Sequence, residues 1–250
     1  MPTLARPDGC RLRFETHGDG PPLVLLEGMG GDIPGWRRNI PRLAERLRVV
    51  AWDLRGNGGS KCEPGDWTMT TFVDDAIALL DHLGIERAHL YGQSLGGMIA
   101  IETALTHPGR VASLVLAATH GGRPVPSRER APKDRPWELL YAPGFPQARP
   151  EHVADDLAHA SEQPPAARRA QWEAAHGWDA HERLGEIMVP VLVLHGAQDR
   201  MVHPDNARLL ARAIPGARLE VLEDAGHVYH SERAAEADRL VLDFVLASGG

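Results

Sequence analysis

Six short apolar runs recur along the chain, at residues 23–26, 49–52, 89–91, 114–118, 191–194 and 219–222, each too brief for a helix. Their hydrophobicity is continuous rather than alternating. That is what a strand shows when helices cover both faces of a parallel sheet. An earlier stretch, residues 11–16, does alternate and is expected in an outer hairpin. Helical patterns fill the gaps, at 36–46, 71–83, 95–106, 206–213 and 234–246. Strand and helix therefore take turns, which implies right-handed crossovers and a mostly parallel, doubly wound α/β sheet. In such a sheet the ligand crevice lies beyond the carboxyl ends of the strands, so the residues just after each strand are the place to look for chemistry.

The alternation breaks between 121 and 186, where Pro124, Pro126, Pro132, Pro136, Pro143, Pro146 and Pro150 interrupt regular structure. The second half of this stretch carries two helical patterns, 151–161 and 166–175, and a short segment, 179–186, that leads back to the sheet. Plain connections are much shorter, so the stretch is expected to be a lid inserted into the domain. The expected division is a core of 1–120 and 187–250 with a small, mainly helical lid at 121–186.

Composition adds mostly exclusions. At 250 residues, 43% hydrophobic and 24% charged, the chain can bury a full core, and one α/β domain of this length is common. A net charge of −7 without a basic run argues against nucleic acid and anionic membranes as partners. No segment approaches the ~20 apolar residues of a membrane span, and the N-terminus lacks the apolar stretch of a signal peptide, so a cytoplasmic location is expected. The two cysteines, Cys10 and Cys62, could pair, but so few thiols fit a reducing compartment at least as readily.

The chemistry sits where the topology places it. Gly92-Gln93-Ser94-Leu95-Gly96-Gly97 follows a strand and opens a helix, the context in which G-x-S-x-G forms a nucleophile elbow. Small residues are needed there because the sharp turn brings the backbone against its neighbours while projecting the hydroxyl outward. A glycine-rich helix start with a capping serine is the bland alternative. A serine hydroxyl needs a base, and among 13 histidines His227 is the candidate, in Asp224-Ala225-Gly226-His227 just after the last core run. His195 at a strand end and His203 beside Pro204 are set aside. The imidazole in turn needs a carboxylate to fix its tautomer, and Asp199, in Gly196-Ala197-Gln198-Asp199 after the preceding strand, fits; a surface turn is its alternative. The order serine, acid, histidine is the one expected for this kind of fold. An oxyanion needs two backbone donors. Leu95 N–H should supply one, and Met29 N–H, in Glu27-Gly28-Met29-Gly30-Gly31-Asp32, the other, unless that glycine cluster is only a turn.

With these motifs in place, nearly the whole chain resembles the α/β-hydrolase superfamily, in particular short-lid esterases, lactonases and cofactor-free haloperoxidases related to oxoadipate enol-lactone hydrolase. Asp53-Leu54-Arg55-Gly56-Asn57-Gly58-Gly59-Ser60 is similar to the family's D-x-R-G-x-G-x-S turn, read as structural, and Gly226-His227 with Glu232 five residues on matches its histidine loop. The resemblance implies a carboxylic ester hydrolase, an esterase or lactonase working through an acyl-enzyme on a small-molecule ester or lactone, with no metal and no cofactor. Two other functions remain open: a perhydrolase or haloperoxidase using the same triad, and a ligand receptor that keeps the triad but barely turns over. The oligomeric state is not readable.

One departure stands out. Many relatives have His-Gly at the oxyanion loop, where this chain has Glu27-Gly28. The favoured reading turns the Glu27 carboxylate away, onto loop amides or an arginine, so that it holds the donor peptide. The other faces it into the crevice, protonated or positioning a water, where it would tune deacylation or leaving-group release. Within the lid, Trp137, Tyr141, Phe145, Trp172 and Trp178 could wall an apolar acyl pocket, with half or more of them read as lid core, while Arg123, Arg128, Arg130, Arg168 and Arg169 could recognise a substrate carboxylate but are read chiefly as solvated surface.

Overall fold

The computed structural model describes residues 1–127, 129 and 132–249. Arg128 and Arg130 lie outside the described residues. The strands are β1 (Thr3–Ala5), β2 (Arg11–His17), β3 (Pro22–Leu26), β4 (Arg48–Trp52), β5 (Ala88–Gln93), β6 (Val111–Ala117), β7 (Val191–Gly196) and β8 (Arg218–Leu222). They form one sheet in the order β1-β2-β4-β3-β5-β6-β7-β8. β2 pairs antiparallel with β1 and with β4, and every later pairing is parallel. The alternating segment is thus the outer hairpin strand. Its partner β1 is only three residues long, too short to leave a pattern of its own.

The continuous apolar runs have the cause expected of them. In β3 Leu23 and Leu25 pack on one side of the sheet with Trp36, Tyr91 and Phe244, while Val24 and Leu26 pack on the other with Phe72 and Ile99. Both faces are therefore covered, and every residue of β5 and β7 is buried. α2 (Met69–His82), α3 (Leu95–Thr106) and α7 (Asp205–Ala213) cover one face. The other is covered by α1 (Ile40–Leu43), the 3-10 helix Ile33–Trp36 and α9 (Ala234–Ala247). α2 starts at a reciprocal cap: Thr68 Oγ1 accepts the Thr71 N–H and Thr71 Oγ1 accepts the Thr68 N–H.

The pattern at 36–46 predicts one helix, and the structure corrects this to a 3-10 turn followed by the four-residue α1. Pro34 and Pro41 each sit at the start of one of these pieces, and Pro41 has no N–H with which to continue a helix from residue 37.

Between β6 and β7 the chain makes the long excursion, and here too the prolines need a corrected reading. Rather than only interrupting, Pro136 opens a 3-10 helix (Pro136–Leu140), Pro146 lies in the first turn of α4 (Phe145–Ala148), Pro150 opens α5 (Pro150–His159) and Pro165 opens α6 (Pro165–His176). A first-turn proline forfeits only an N–H that would be orphaned anyway. A second 3-10 helix, His181–Glu186, leads back to β7. α6 packs Ala167, Ala170 and Ala174 into the main core cluster. α5 is pinned by Asp155 and Asp156, which both pair with Arg37 and Arg38.

Cys10 and Cys62 are joined by a disulfide. Among the described residues no helix is long and apolar enough to cross a membrane.

Candidate active site

Ser94 sits between the end of β5 and the first turn of α3, with φ 51° and ψ −114°. This is a region that L-residues rarely occupy, and the surroundings impose it. Ser94 N–H is held by Ala117 O at 2.8 Å, and Ser94 O accepts from the Gly97 and Met98 amides and from Thr119 Oγ1. The glycines around it answer to space. A Cβ on Gly92 would strike the Gly96–Gly97 peptide, and one on Gly96 would strike Leu26 O at the end of β3. The side chain of Ser94 is partly exposed.

His227 and Asp199 are brought together. His227 Nδ1 lies 2.8 Å from Asp199 Oδ2, both residues being buried. The other carboxylate oxygen accepts the Met201 N–H at 2.8 Å and the Val202 N–H at 2.9 Å. Burial works against ionisation of Asp199, but His227 and His195 beside it and their hydrogen bonds hold its carboxyl well below the usual range. Burial likewise pulls the His227 imidazole down, and the Asp199 charge outweighs it, so His227 is raised. The two loops brace each other: Ala197 N–H donates to Leu222 O and Gln198 N–H to Ala225 O. With Nδ1 turned to the carboxylate, Nε2 is left to face elsewhere as the acceptor.

The loop after β3 passes over the elbow. A Cβ on Gly28 would lie 3.3 Å from Ser94 Cβ. Neither the Met29 nor the Leu95 N–H donates to an acceptor among the described residues. The D-x-R-G-x-G turn carries this loop from below: Asn57 Nδ2 donates to Gly31 O at 2.5 Å and Gly28 O at 3.3 Å, and Asp53 Oδ1 accepts the Ile33 N–H at 2.7 Å. The excursion reaches the same turn, since Gln163 and Gln171 both donate to Asn57 Oδ1 at 2.8 Å.

Glu27 follows part of the favoured expectation. Its side chain is buried, and Oε1 accepts the Gly28 N–H at 3.1 Å, a loop amide. No arginine reaches it among the described residues, and Oε2 is buried without a partner. Gly31 and Gly35 make the room it occupies, since a Cβ on Gly31 would overlap the Glu27 side chain. Burial pushes its carboxyl up to about 7.

Sequence reasoning passed over three contributors. Gln93, the first variable residue of G-x-S-x-G, reaches the histidine loop through Nε2 to His227 O at 3.4 Å. Glu232, noted only for its spacing, accepts the Gly226 N–H at 2.6 Å and the Ala142 N–H at 2.8 Å. His195, set aside as a strand-end residue, lies with Nε2 3.2 Å from Asp199 Oδ2. Of the aromatic residues expected to wall a pocket, Tyr141 stacks on Phe145 with Trp137 edge-on to it. Trp178 is tied to Glu102. Trp172 is 54% exposed and packed against His176 on the surface, in neither a pocket wall nor the lid core. Arg123 and Arg169 are engaged by exposed acidic neighbours. Among the described residues there is no cluster of three or more His, Cys, Asp or Glu side chains suited to a metal ion.

The family model of the alpha/beta hydrolase fold matches residues 21–170 and 137–234. The chain is 32% identical over 254 residues to a putative carbamate hydrolase RutD of Variovorax paradoxus (strain S110), covering 94% of this chain and 96% of that one. Among solved structures it is similar to the enol-lactonase of Burkholderia xenovorans LB400, with a TM-score of 0.89, 28% identity and coverage of 98% and 100% of the two chains. It is also similar to a malate-bound thermophilic esterase of Thermogutta terrifontis, with a TM-score of 0.87, 28% identity and coverage of 99% and 97%. The chain belongs to the family of the alpha/beta hydrolase fold, and its eight-stranded, mostly parallel sheet is the core of that fold.

Proposed function

We propose that this hydrolase cleaves carboxylic esters or lactones through an acyl-enzyme, with Ser94 as nucleophile, His227 as general base and acid, and Asp199 as the orienting carboxylate. The observation that carries the reading is the strained Ser94 at the end of β5, next to Gln93, which reaches the His227 backbone of the buried His227–Asp199 pair. His227 Nε2 takes the Ser94 proton as Oγ bonds to the acyl carbon. The oxyanion that forms is met by the Met29 and Leu95 amides, and the His227 proton then leaves with the alkoxide. Water repeats the sequence, with His227 again taking and returning the proton, to release the acid and free Ser94.

Residues 121–186 act as a lid in the proposal, with Ala142 against the histidine loop and Gln163 beside Gly30 of the loop after β3. The named relatives widen the choice of substrates to try: one is called a carbamate hydrolase, one an enol-lactonase and one an esterase. A panel of short acyl esters, lactones and carbamates, each with product identification, tests the reading. It expects ester or lactone cleavage with stoichiometric fluorophosphonate labelling of Ser94, and turnover of carbamates alone would replace the substrate class. A cytoplasmic location belongs to the same proposal. The Cys10–Cys62 bond weighs against it, since reducing compartments dissolve such links, and thiol counting on protein from its host decides the point.

A further inference from the structure

His195 is the penultimate residue of the buried strand β7 and is wholly enclosed. Its Nε2 faces two oxygens, Val202 O at 2.9 Å and Asp199 Oδ2 at 3.2 Å. Both are acceptors, so Nε2 carries the proton. Nδ1 is buried without a partner. Asp199 is thus held by three hydrogen bonds, two amides on Oδ1 and His227 on Oδ2, and the His195 Nε2–H, bonded to Val202 O, lies 3.2 Å from that same Oδ2. The oxygen that turns to His227 is the one that His195 also faces.

We propose that His195 is a positioning residue for the Ser94 reaction: by holding Val202 O, whose residue clamps Asp199 Oδ1, and by placing its N–H 3.2 Å from the Asp199 oxygen that bonds His227, it fixes the carboxylate and stabilises its charge. The inference rests on the triad reading above. Its physical content has a sign. A donor N–H close to a carboxylate stabilises the anion, so each one added weakens the pull on any one partner. With His195 present, Asp199 favours the His227 imidazolium less than it would alone, and more of the base stays neutral, able to accept a proton, near neutrality. Without it, His227 would hold its proton to higher pH. The other titratable groups facing His227 are Glu27 at the end of β3, and Glu232 and His230 on the four-residue helix α8 (Tyr229–Glu232). None of them contacts His195 by hydrogen bond, so substitution at 195 leaves them in place.

The test is the pH dependence of covalent inactivation by a fluorophosphonate, which needs no knowledge of the natural substrate. Wild type, His195→Gln and His195→Leu are compared. Gln keeps an N–H near the position of Nε2, and Leu removes it. The midpoint of the acid limb should rise by roughly half to one unit in His195→Leu, about three- to tenfold slower labelling below the midpoint, and should return to within a few tenths in His195→Gln. A role in packing alone would lower the labelling rate at every pH or lower the melting temperature, but would not move the midpoint. An unmoved or lowered midpoint in a folded His195→Leu overturns the proposal. Should that variant not fold, nitrogen-15 correlation spectra of the wild type decide, because His195 must be the Nε2–H tautomer and an Nδ1–H ring overturns the proposal. Mass spectrometry separates the two levels of failure. Label on Ser94 with an unmoved midpoint removes only the role of His195, whereas absence of label from Ser94 removes the triad reading and this inference with it.

Discussion

Glu232 holds Gly226 by its amide at 2.6 Å, one residue before His227, and its second oxygen holds the Ala142 amide of the excursion at 2.8 Å. One partly buried carboxylate therefore sets the entry to the histidine loop and the segment that lies on it. A Cβ on Gly226 would run into the Tyr141–Ala142 peptide, so the two backbones are in direct contact.

Glu232→Ala should unseat both segments at once. Hydrogen bonds to a charged group contribute about 1.5–3 kcal/mol each, so the variant should melt several degrees lower and lose roughly ten- to a hundredfold in kcat. Glu232→Gln should recover part of both. Thermal melts and steady-state kinetics on one ester check this, and an Ala variant with wild-type kcat would leave the clamp without a role in catalysis.

Ser94→Ala and His227→Ala should each cut hydrolysis by about 10³-fold or more while the protein stays folded. The double variant should be scarcely worse than either, because the groups act as a unit. Circular dichroism with single-ester kinetics is sufficient. A Ser94→Ala protein that keeps a tenth of its activity would sink the nucleophile assignment.

Glu27 predicts a pH effect whose direction is set by its raised carboxyl. Folded, the group keeps its proton up to about 7, against an ordinary value of 4.5, so the folded state binds more protons between those limits. Its contribution to stability is complete below pH 4.5 and is lost as pH rises through 7. The swing is on the order of 3 kcal/mol, and Glu27→Gln should abolish it. Urea midpoints at pH 5 and pH 8 measure the difference. Kinetically, Gln should cost little at pH 6, where the native group is itself mostly neutral. The ratio of variant to wild-type kcat should rise by pH 8, where a carboxylate one peptide from the Met29 amide opposes the developing anion. A flat ratio would mean that this charge is not felt at the acyl carbon.

The Cys10–Cys62 link spans a sequence separation of 52 residues, and a loop of that size corresponds to about 4 kcal/mol of stabilisation on the chain-entropy account. Dithiothreitol or a Cys10→Ser/Cys62→Ser pair should therefore lower the melting temperature markedly. Alkylation of unfolded, unreduced protein should modify neither cysteine.

The strand pattern, the elbow and the order of Ser94, Asp199 and His227 could be read from the sequence because each is local: a run of apolar residues, a glycine-flanked serine, a turn after a strand. What escaped depends on residues distant in the chain. The reach of Gln93 to His227 O spans 134 residues and that of Glu232 to Ala142 N spans 90, and neither leaves a periodic trace. The direction of the Glu27 side chain was open for the same reason, since it is settled by the space that Gly31 and Gly35 leave for it. Pro41 shows the reverse error. The apolar spacing at 36–46 is helical, but a missing N–H outranks spacing, and the chain makes two short turns instead.

The positive φ of Ser94 also bears on how the chain folds. A non-glycine residue in that region costs on the order of 1–3 kcal/mol, and neither Ser94→Ala nor the native serine escapes it. Glycine does, less about 0.5–1 kcal/mol for the looser unfolded chain. Two equally inactive proteins should then differ: Ser94→Gly should resist denaturant better than Ser94→Ala by about 1 kcal/mol. The residue that would make this protein an enzyme is thus one of the places where its sequence is poorest at specifying its own fold, and selection for stability alone would replace it.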